Sequence, residues 1–247
     1  MMESMEWGQW LILLVAGVLI GMSKTGFQGI NTPTIPLLAL AFGAKESTGI
    51  ILPMLCMADL IAVIYYRRNA RWKYILKLLP YAVAGFFLAI LVDRYVPAAQ
   101  FRYLMAACIF AGLIFMFWQE RGNREAIITR KWWYSPVFGL TGGFTTMIGN
   151  AAGPVMAIYL LSMRLPKYAF VGTSAWFFMI VNYLKLPLQI FVWDNITWES
   201  LVIDFIALPF IITGAVVGIK LVKKLPESSY RKMILWLTVI ATVMLLV

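Results

Sequence analysis

Residues 21–36 read GMSKTGFQGINTPTIP. Three glycines and two prolines are mixed here with Ser23, Lys24, Thr25, Gln28, Asn31, Thr32 and Thr34, between two apolar runs. A stretch of this kind interrupts what would otherwise be the first membrane-crossing hairpin. A second broken stretch, GGFTTMIGNAAGP, lies at 142–154, at the corresponding place in the other half of the chain.

The surrounding sequence sets the fold class. The chain has 247 residues, of which 62% are hydrophobic and 13% charged, whereas a soluble domain carries about a quarter charged residues. Apolar runs at 7–23, 47–66, 74–92, 101–118, 168–190, 199–221 and 230–247 approach the length that crosses a hydrocarbon core of about 30 Å as a helix. The sequence is therefore that of an all-α polytopic membrane protein. Alternating ten-residue strands, the mark of a membrane β-barrel, are absent. The first run has Glu3 and Glu6 before it and no basic residue, so it does not read as a cleaved signal. The longest polar loop is about 119–131, which leaves no room within the chain for a soluble catalytic or nucleic-acid-binding module. The net charge of +10 then reflects loops facing an anionic leaflet. There is no histidine, which removes histidine metal sites and histidine proton relays, and no metal or cofactor is expected. Cys56 and Cys108 lie singly within apolar runs and read as small buried residues. HExxH, P-loop and GxSxG signatures are absent.

The second half echoes the first. Gly17 and Gly21 match Gly139 and Gly143; Asn31–Pro33 matches Asn150–Pro154; Asp59 falls opposite Asn182. LPYAVAG at 79–85 matches LPFIITG at 208–214, and Pro97 with Phe101-Arg102 matches Pro226 with Tyr230-Arg231. Each half contains five apolar segments, so the second copy enters the membrane upside down. The expected architecture is two inverted-topology five-segment repeats, about eight full spans plus two short or broken helices. The N-terminal repeat covers 1–118, a cytoplasmic linker 119–131 and the C-terminal repeat 132–247. Ten segments with both termini outside place every basic residue except Lys45, Arg94, Arg102 and Lys185 on the inner side, as the positive-inside rule requires. RRNARWK after the third segment and WDNITWE after the eighth show the reversed charge bias that inversion demands.

Short, Gly/Pro-interrupted segments at matching positions of two inverted halves point to a transport site. The apolar runs after the two breaks, about 32–44 and 152–163, are too short to cross the core. Asn31 or Thr32 reads as an N-cap before Pro33, and Gly153-Pro154 reads the same way. Each short helix would then begin near the midplane with its free N–H groups and positive dipole end facing the site. Two such ends favour an anion. Ser23, Thr25, Gln28, Asn31, Thr32, Thr145, Thr146 and Asn150 supply neutral polar groups. Lys24 reads either as a snorkelling lysine or as an anion attractor. Lys185 is ionisable within a span and has no acidic neighbour in sequence. Asp59, the acid inside an early span, is the candidate for a coupling proton or for pairing with Lys24 or Lys185. Asp204, near the start of its span, reads as interfacial. Trp132-Trp133-Tyr134, Trp193 and Trp198 read as belt residues.

The run "G…SKTGFQG…P…PLL…FGAK.S.GI.LP" over 21–53 resembles the TauE/SafE family of membrane transporters, the sulfite exporter family. So do "GLTGGFTTMIGNAAGPVMAIYL" and "FVGTSAWFF..VN..K.P" over 139–187. The resemblance covers nearly the whole chain. It implies a multi-pass protein of a bacterial-type plasma membrane that moves sulfite, sulfoacetate or related organosulfur anions, usually outward, and is not an enzyme. The expected partners are that anion and the lipid bilayer, with no nucleic acid; homo-oligomerisation is left open. An anion channel and a membrane-embedded sulfur relay using Cys56 are the alternative readings.

Overall fold

The computed structural model describes residues 5–93, 131–150 and 152–244. Among them lie nine helices and no strand: α1 (Trp7–Lys24), α2 (Thr34–Phe42), α3 (Ala44–Tyr66), α4 (Trp72–Asp93), α5 (Tyr134–Gly149), α6 (Ala152–Ser162), α7 (Lys167–Phe191), α8 (Trp198–Lys224) and α9 (Glu227–Met244). The expected span at 101–118, the linker up to residue 130, Cys108 and the Pro97/Phe101-Arg102 match lie outside the described residues.

Five helices, α1, α3, α4, α7 and α8, are long and apolar enough to cross a membrane. The expectation of eight full spans is thus met only in part. α5 has 16 residues and stops at a break. α9 opens with Glu227, Arg231 and Lys232 in its first two turns, which dilutes its apolar run.

The long helices pack through glycine. A Cβ at Gly21 would collide with the Ile211 carbonyl, and one at Gly214 with the Val18 carbonyl; Gly17 faces the Ala207 carbonyl. These contacts clasp α1 and α8 side by side and parallel. On the other side of the molecule, a Cβ at Gly143 would collide with the Ala82 carbonyl, and one at Gly85 with the Leu140 carbonyl; Gly139 faces the Leu78 carbonyl. α4 and α5 are therefore also parallel. The two seams use residues related by the offsets that match Gly17 to Gly139 and Pro80 to Pro209. In a membrane, lipid tails are as apolar as leucine, so close backbone approach at small residues drives helix association. Exposed Trp7 and Trp198 begin one pair, and exposed Trp72 and Trp132 lie at the start of the other, in keeping with interfacial anchoring. Between the pairs, α3 and α7 cross antiparallel. Their ties run from Thr48–Asn195 (2.7 Å) through Asp59–Asn182 (2.6 Å) to the Arg71 N–H on Thr173 Oγ1 (2.9 Å).

The two broken stretches become the gaps α1–α2 and α5–α6. In the first, Gly29 has a φ of 95°, a region glycine enters without a Cβ penalty. α2 and α6 contain 9 and 11 residues, about half a membrane crossing at about 1.5 Å per residue. The start of α2 differs from the expected Asn31 or Thr32 side-chain cap. Pro33 itself occupies the cap position with no side-chain hydrogen bond. The reason is local: residues 27–34 already coil in successive turns, with Thr32 N–H on the Gly29 carbonyl and Thr34 N–H on the Asn31 carbonyl, both 3.0 Å. Backbone carbonyls serve these amides, and the Asn31 side chain is released for other work. In the second gap Asn150 ends α5 in the left-handed conformation, φ 53° and ψ 24°. Pro154 then falls in the first turn of α6, where its missing N–H goes unnoticed.

The seams give neighbouring glycines opposite roles. Gly143→Ala should destabilise the protein by about 1–3 kcal/mol through overpacking. At Gly142 the nearest contact of an added Cβ is Val155 Cγ1 at 3.8 Å, so Gly142→Ala should be neutral or stabilising by up to about 1 kcal/mol. Thermal unfolding in detergent measures both.

Candidate anion site between the two broken hairpins

The two gaps meet. A small cavity of about 20 Å³ lies between them, lined from the first break by Ser23, Lys24, Gln28, Asn31 and Thr32 and from the second by Thr146, Asn150, Gly153 and Pro154. Ser174, Phe178 and Asn182 of α7 close it from the side. The first turns of both short helices thus abut one space. No aspartate or glutamate lines it, and Lys24 is the ionisable residue on its wall.

Unwound backbone is tolerated at membrane depth only where protein or a water-filled cavity satisfies its polar groups. Two tyrosines do so here. Tyr66 donates its hydroxyl to the Thr25 carbonyl (3.2 Å) and Tyr230 to the Gly26 carbonyl (2.7 Å).

Lys24 does not snorkel to a surface. Its side chain is 7% exposed and pairs with the fully buried Asp59 at 2.9 Å. Its ammonium also stands over the Phe178 ring, 4.1 Å from the centroid, a favourable cation–π placement. Asn182 donates to the second carboxylate oxygen of Asp59 at 2.6 Å. Of the two pairings considered for Asp59, the one with Lys24 is formed, and the residues matched between the two halves, Asp59 and Asn182, touch each other.

Lys185 is fully buried and binds no acid among the described residues. Its ammonium donates to the Thr146 carbonyl (2.7 Å), the Thr146 hydroxyl (3.3 Å) and Asn150 Oδ1 (2.5 Å). An ammonium is donor only, so it fixes the Asn150 amide with oxygen toward Lys185. The Asn150 Nδ2 is left for whatever occupies the cavity. Asn31 is arranged alike: its Oδ1 accepts from the Ser23 hydroxyl at 2.8 Å, and its Nδ2 has no protein acceptor among the described residues. Lys185 itself does not line the cavity; it acts through Asn150 and Thr146.

Other expected site residues turn elsewhere. Thr25 bonds the Gly21 and Ala215 carbonyls, at 2.9 and 3.1 Å, and so ties α1 to α8. Thr145 bonds the Thr141 carbonyl of its own helix at 2.9 Å. Both are buried and neither lines the cavity. Gln28 reaches the Ser174 hydroxyl. Ser174 and Phe178 were missed in the sequence. Their signal is the spacing of Ser174, Phe178, Asn182, Lys185 and Gln189 along one face of α7, all of them buried. Asp204, read as interfacial, is instead fully buried. Cys56 sits among Leu52, Ile196, Leu186 and Leu201, away from the cavity wall.

A family model for the sulfite exporter TauE/SafE matches residues 7–245. The chain belongs to the TauE/SafE sulfite exporter family. Nearly the whole chain is included, so both broken stretches and the α3–α7 crossing lie within the matched region. No curated protein and no solved structure matches the chain significantly. The TauE/SafE family is a family of transporters, and the five long apolar helices fit a multi-pass membrane protein.

The ion pair makes its own prediction. Removing one member of a buried pair strands the other charge, a loss of about 3–5 kcal/mol. Lys24→Met should therefore lower thermal stability strongly, and the double variant Lys24→Met/Asp59→Asn should recover most of that loss. Unfolding of the purified proteins in detergent decides this.

Proposed function

We propose that the protein is a secondary transporter for a small sulfur-containing anion, sulfite or an organosulfonate such as sulfoacetate. The anion binds between the first turns of α2 and α6. The observation that carries this reading is the pair of asparagines, Asn31 and Asn150, on opposite walls of one cavity with both carbonyl oxygens already occupied. Their amide nitrogens are donors, as are the Thr32 and Thr146 hydroxyls, and no carboxylate on the wall opposes a negative ligand. Positive dipole ends of two short helices add to the same preference. Lys24 and Asp59 cancel, which leaves Lys185, among the described residues, as the uncompensated cation behind Asn150. A bound anion supplies the counter-charge that a buried lysine needs.

For the mechanism we propose alternating access between two inverted repeats, with both termini outside and the site near the bilayer midplane. Three features support it. The two glycine seams, α1–α8 and α4–α5, use residues related by the offsets of the internal match. Helices within each seam run parallel, as inversion of a five-segment unit requires. The cavity lies where the two broken hairpins meet, the place expected for a site in inverted-repeat carriers. On this reading the anion is handed between the two faces of the membrane as the seams shift against the central α3–α7 crossing.

Counterflow in proteoliposomes tests the site and separates a carrier from a channel. Labelled sulfite should exchange against internal sulfite in the wild type. Asn31→Ala and Asn150→Ala should each reduce exchange at least about tenfold, the equivalent of one lost charge-assisted hydrogen bond of about 1.5 kcal/mol or more, while still inserting. Wild-type exchange in both variants contradicts the site. Flux without trans-acceleration favours a channel. Sulfoacetate, taurine and sulfate as competitors rank the substrates.

A further inference from the structure

We propose that Asp204, not Asp59, is the residue at which this transporter carries a proton; the inference rests on the carrier reading above. Asp59 already has a counter-charge, with the Lys24 ammonium 2.9 Å from one oxygen and Asn182 donating to the other. Asp204 differs. It lies two turns into α8, is 0% exposed, and neither of its carboxylate oxygens has a hydrogen-bond partner among the described residues. Among the described residues no basic group pairs with it.

Among the described residues its surroundings offer no counter-charge. α8 packs against α1 and α3, and the neighbours of Asp204 in sequence, Ile203 and Ala207, sit in a cluster with Leu13, Ala16 and Ile20 of α1 and Ile50, Ile51 and Met54 of α3. The one ionisable residue of α1 is Lys24, engaged with Asp59. On α3 the charged and titratable groups are Lys45 and Glu46 at its start, Cys56 and Asp59 in its middle, and Tyr65 and Tyr66 at its end; Cys56 is within electrostatic reach of Asp204. The nearest cation on α7 is Lys185, held by Thr146 and Asn150. A carboxylate in such a place is costly, and a bound proton removes the charge. A second observation lies at the same end of the α7–α8 hairpin. Gln189 is 0% exposed, and both its amide atoms lack partners. Its backbone carbonyl accepts the Asn195 N–H at 3.2 Å, just ahead of the first turn of α8. Unpartnered buried polar atoms mark places that water or a proton visits.

The step is simple. The Asp204 carboxylate takes one proton from water when this end of α8 is open, and becomes a neutral acid. It returns that proton to water in the alternate state, reached when α8 moves against α1 along the Gly17–Gly21 and Gly214–Gly218 seam. One proton therefore moves per cycle, and no other group is consumed.

The test uses full-length protein in proteoliposomes. Counterflow of labelled sulfite is measured beside net sulfite accumulation under an imposed gradient of one pH unit, with a trapped pH dye and protein-free liposomes subtracted. A one-unit gradient supplies up to about a tenfold driving force for one coupled proton. Wild type is expected to show counterflow, gradient-dependent accumulation and dye response. Asp204→Asn is expected to keep counterflow within about twofold and to lose both gradient effects, because exchange needs no net proton movement; Asp204→Glu should restore part of them. Full gradient response in Asp204→Asn overturns the proposal, as does wild-type net accumulation that ignores the gradient while counterflow proceeds. Absence of counterflow in the wild type overturns the carrier reading instead. Should Asp204→Asn fail to insert, infrared spectra of the purified wild type at neutral pH decide. A protonated-carboxyl band that shifts in Asp204→Glu supports the proposal, and no such band overturns it.

Discussion

Everything at the centre of this molecule depends on one constraint: polar backbone released from a helix inside a membrane must find a partner. α1 stops at Lys24, and the carbonyls of Thr25 and Gly26 then lack helical donors. Tyr66 from the end of α3 and Tyr230 from α9 supply them. With those carbonyls satisfied, the chain can turn back as α2 without unwinding further. The same constraint explains the left-handed Asn150, which lets α5 stop and α6 begin with its first turn facing the cavity. The breaks are stable because distant residues complete them, and this completion brings the two gaps to one place.

Charge follows from the same geometry. A buried lysine or aspartate is tolerated when something nearby answers it. Lys24, Asp59, Asn182 and Phe178 answer one another across α1, α3 and α7. Among the described residues Lys185 is answered only by neutral oxygens, and in binding them it sets the direction of the Asn150 amide. On the proposed reading, anion preference comes from oriented amides, hydroxyls and helix ends, with a lysine one layer behind them. Such an arrangement lets an anion bind and leave more readily than direct pairing with an ammonium would, which suits a carrier.

Much of this was legible in the sequence, and the legible part has a common character. Glycines at four-residue spacing report seams where backbones touch, so Gly17, Gly21, Gly139, Gly143, Gly85 and Gly214 could be matched before any contact was known, and each lies in a seam. Asp59 and Asn182, matched between the two halves of the sequence, touch each other. The Gly- and Pro-rich interruptions located both gaps. What escaped was set by tertiary direction. Thr25 and Thr145 belong to the broken stretches by position, yet their hydroxyls turn to helix carbonyls, as threonine commonly does. The cap at Pro33 depended on backbone turns that composition does not reveal. Asp204 lies near a helix start in sequence, and only the packing of α8 against α1 and α3 shows that it is buried. Ser174 and Phe178 of α7 look like ordinary core until the first break is set against them.

The central claim is that one anion sits between the first turns of α2 and α6. Crystals grown with selenite, an oxyanion of the same shape and charge type as sulfite, test it without reference to transport. Anomalous scattering locates the selenium directly. The account expects a single strong peak within hydrogen-bond reach of Asn31 and Asn150. A peak found only elsewhere, such as beside Arg164 and Arg231 in the surface hollow between α6, α7 and α9, would contradict it.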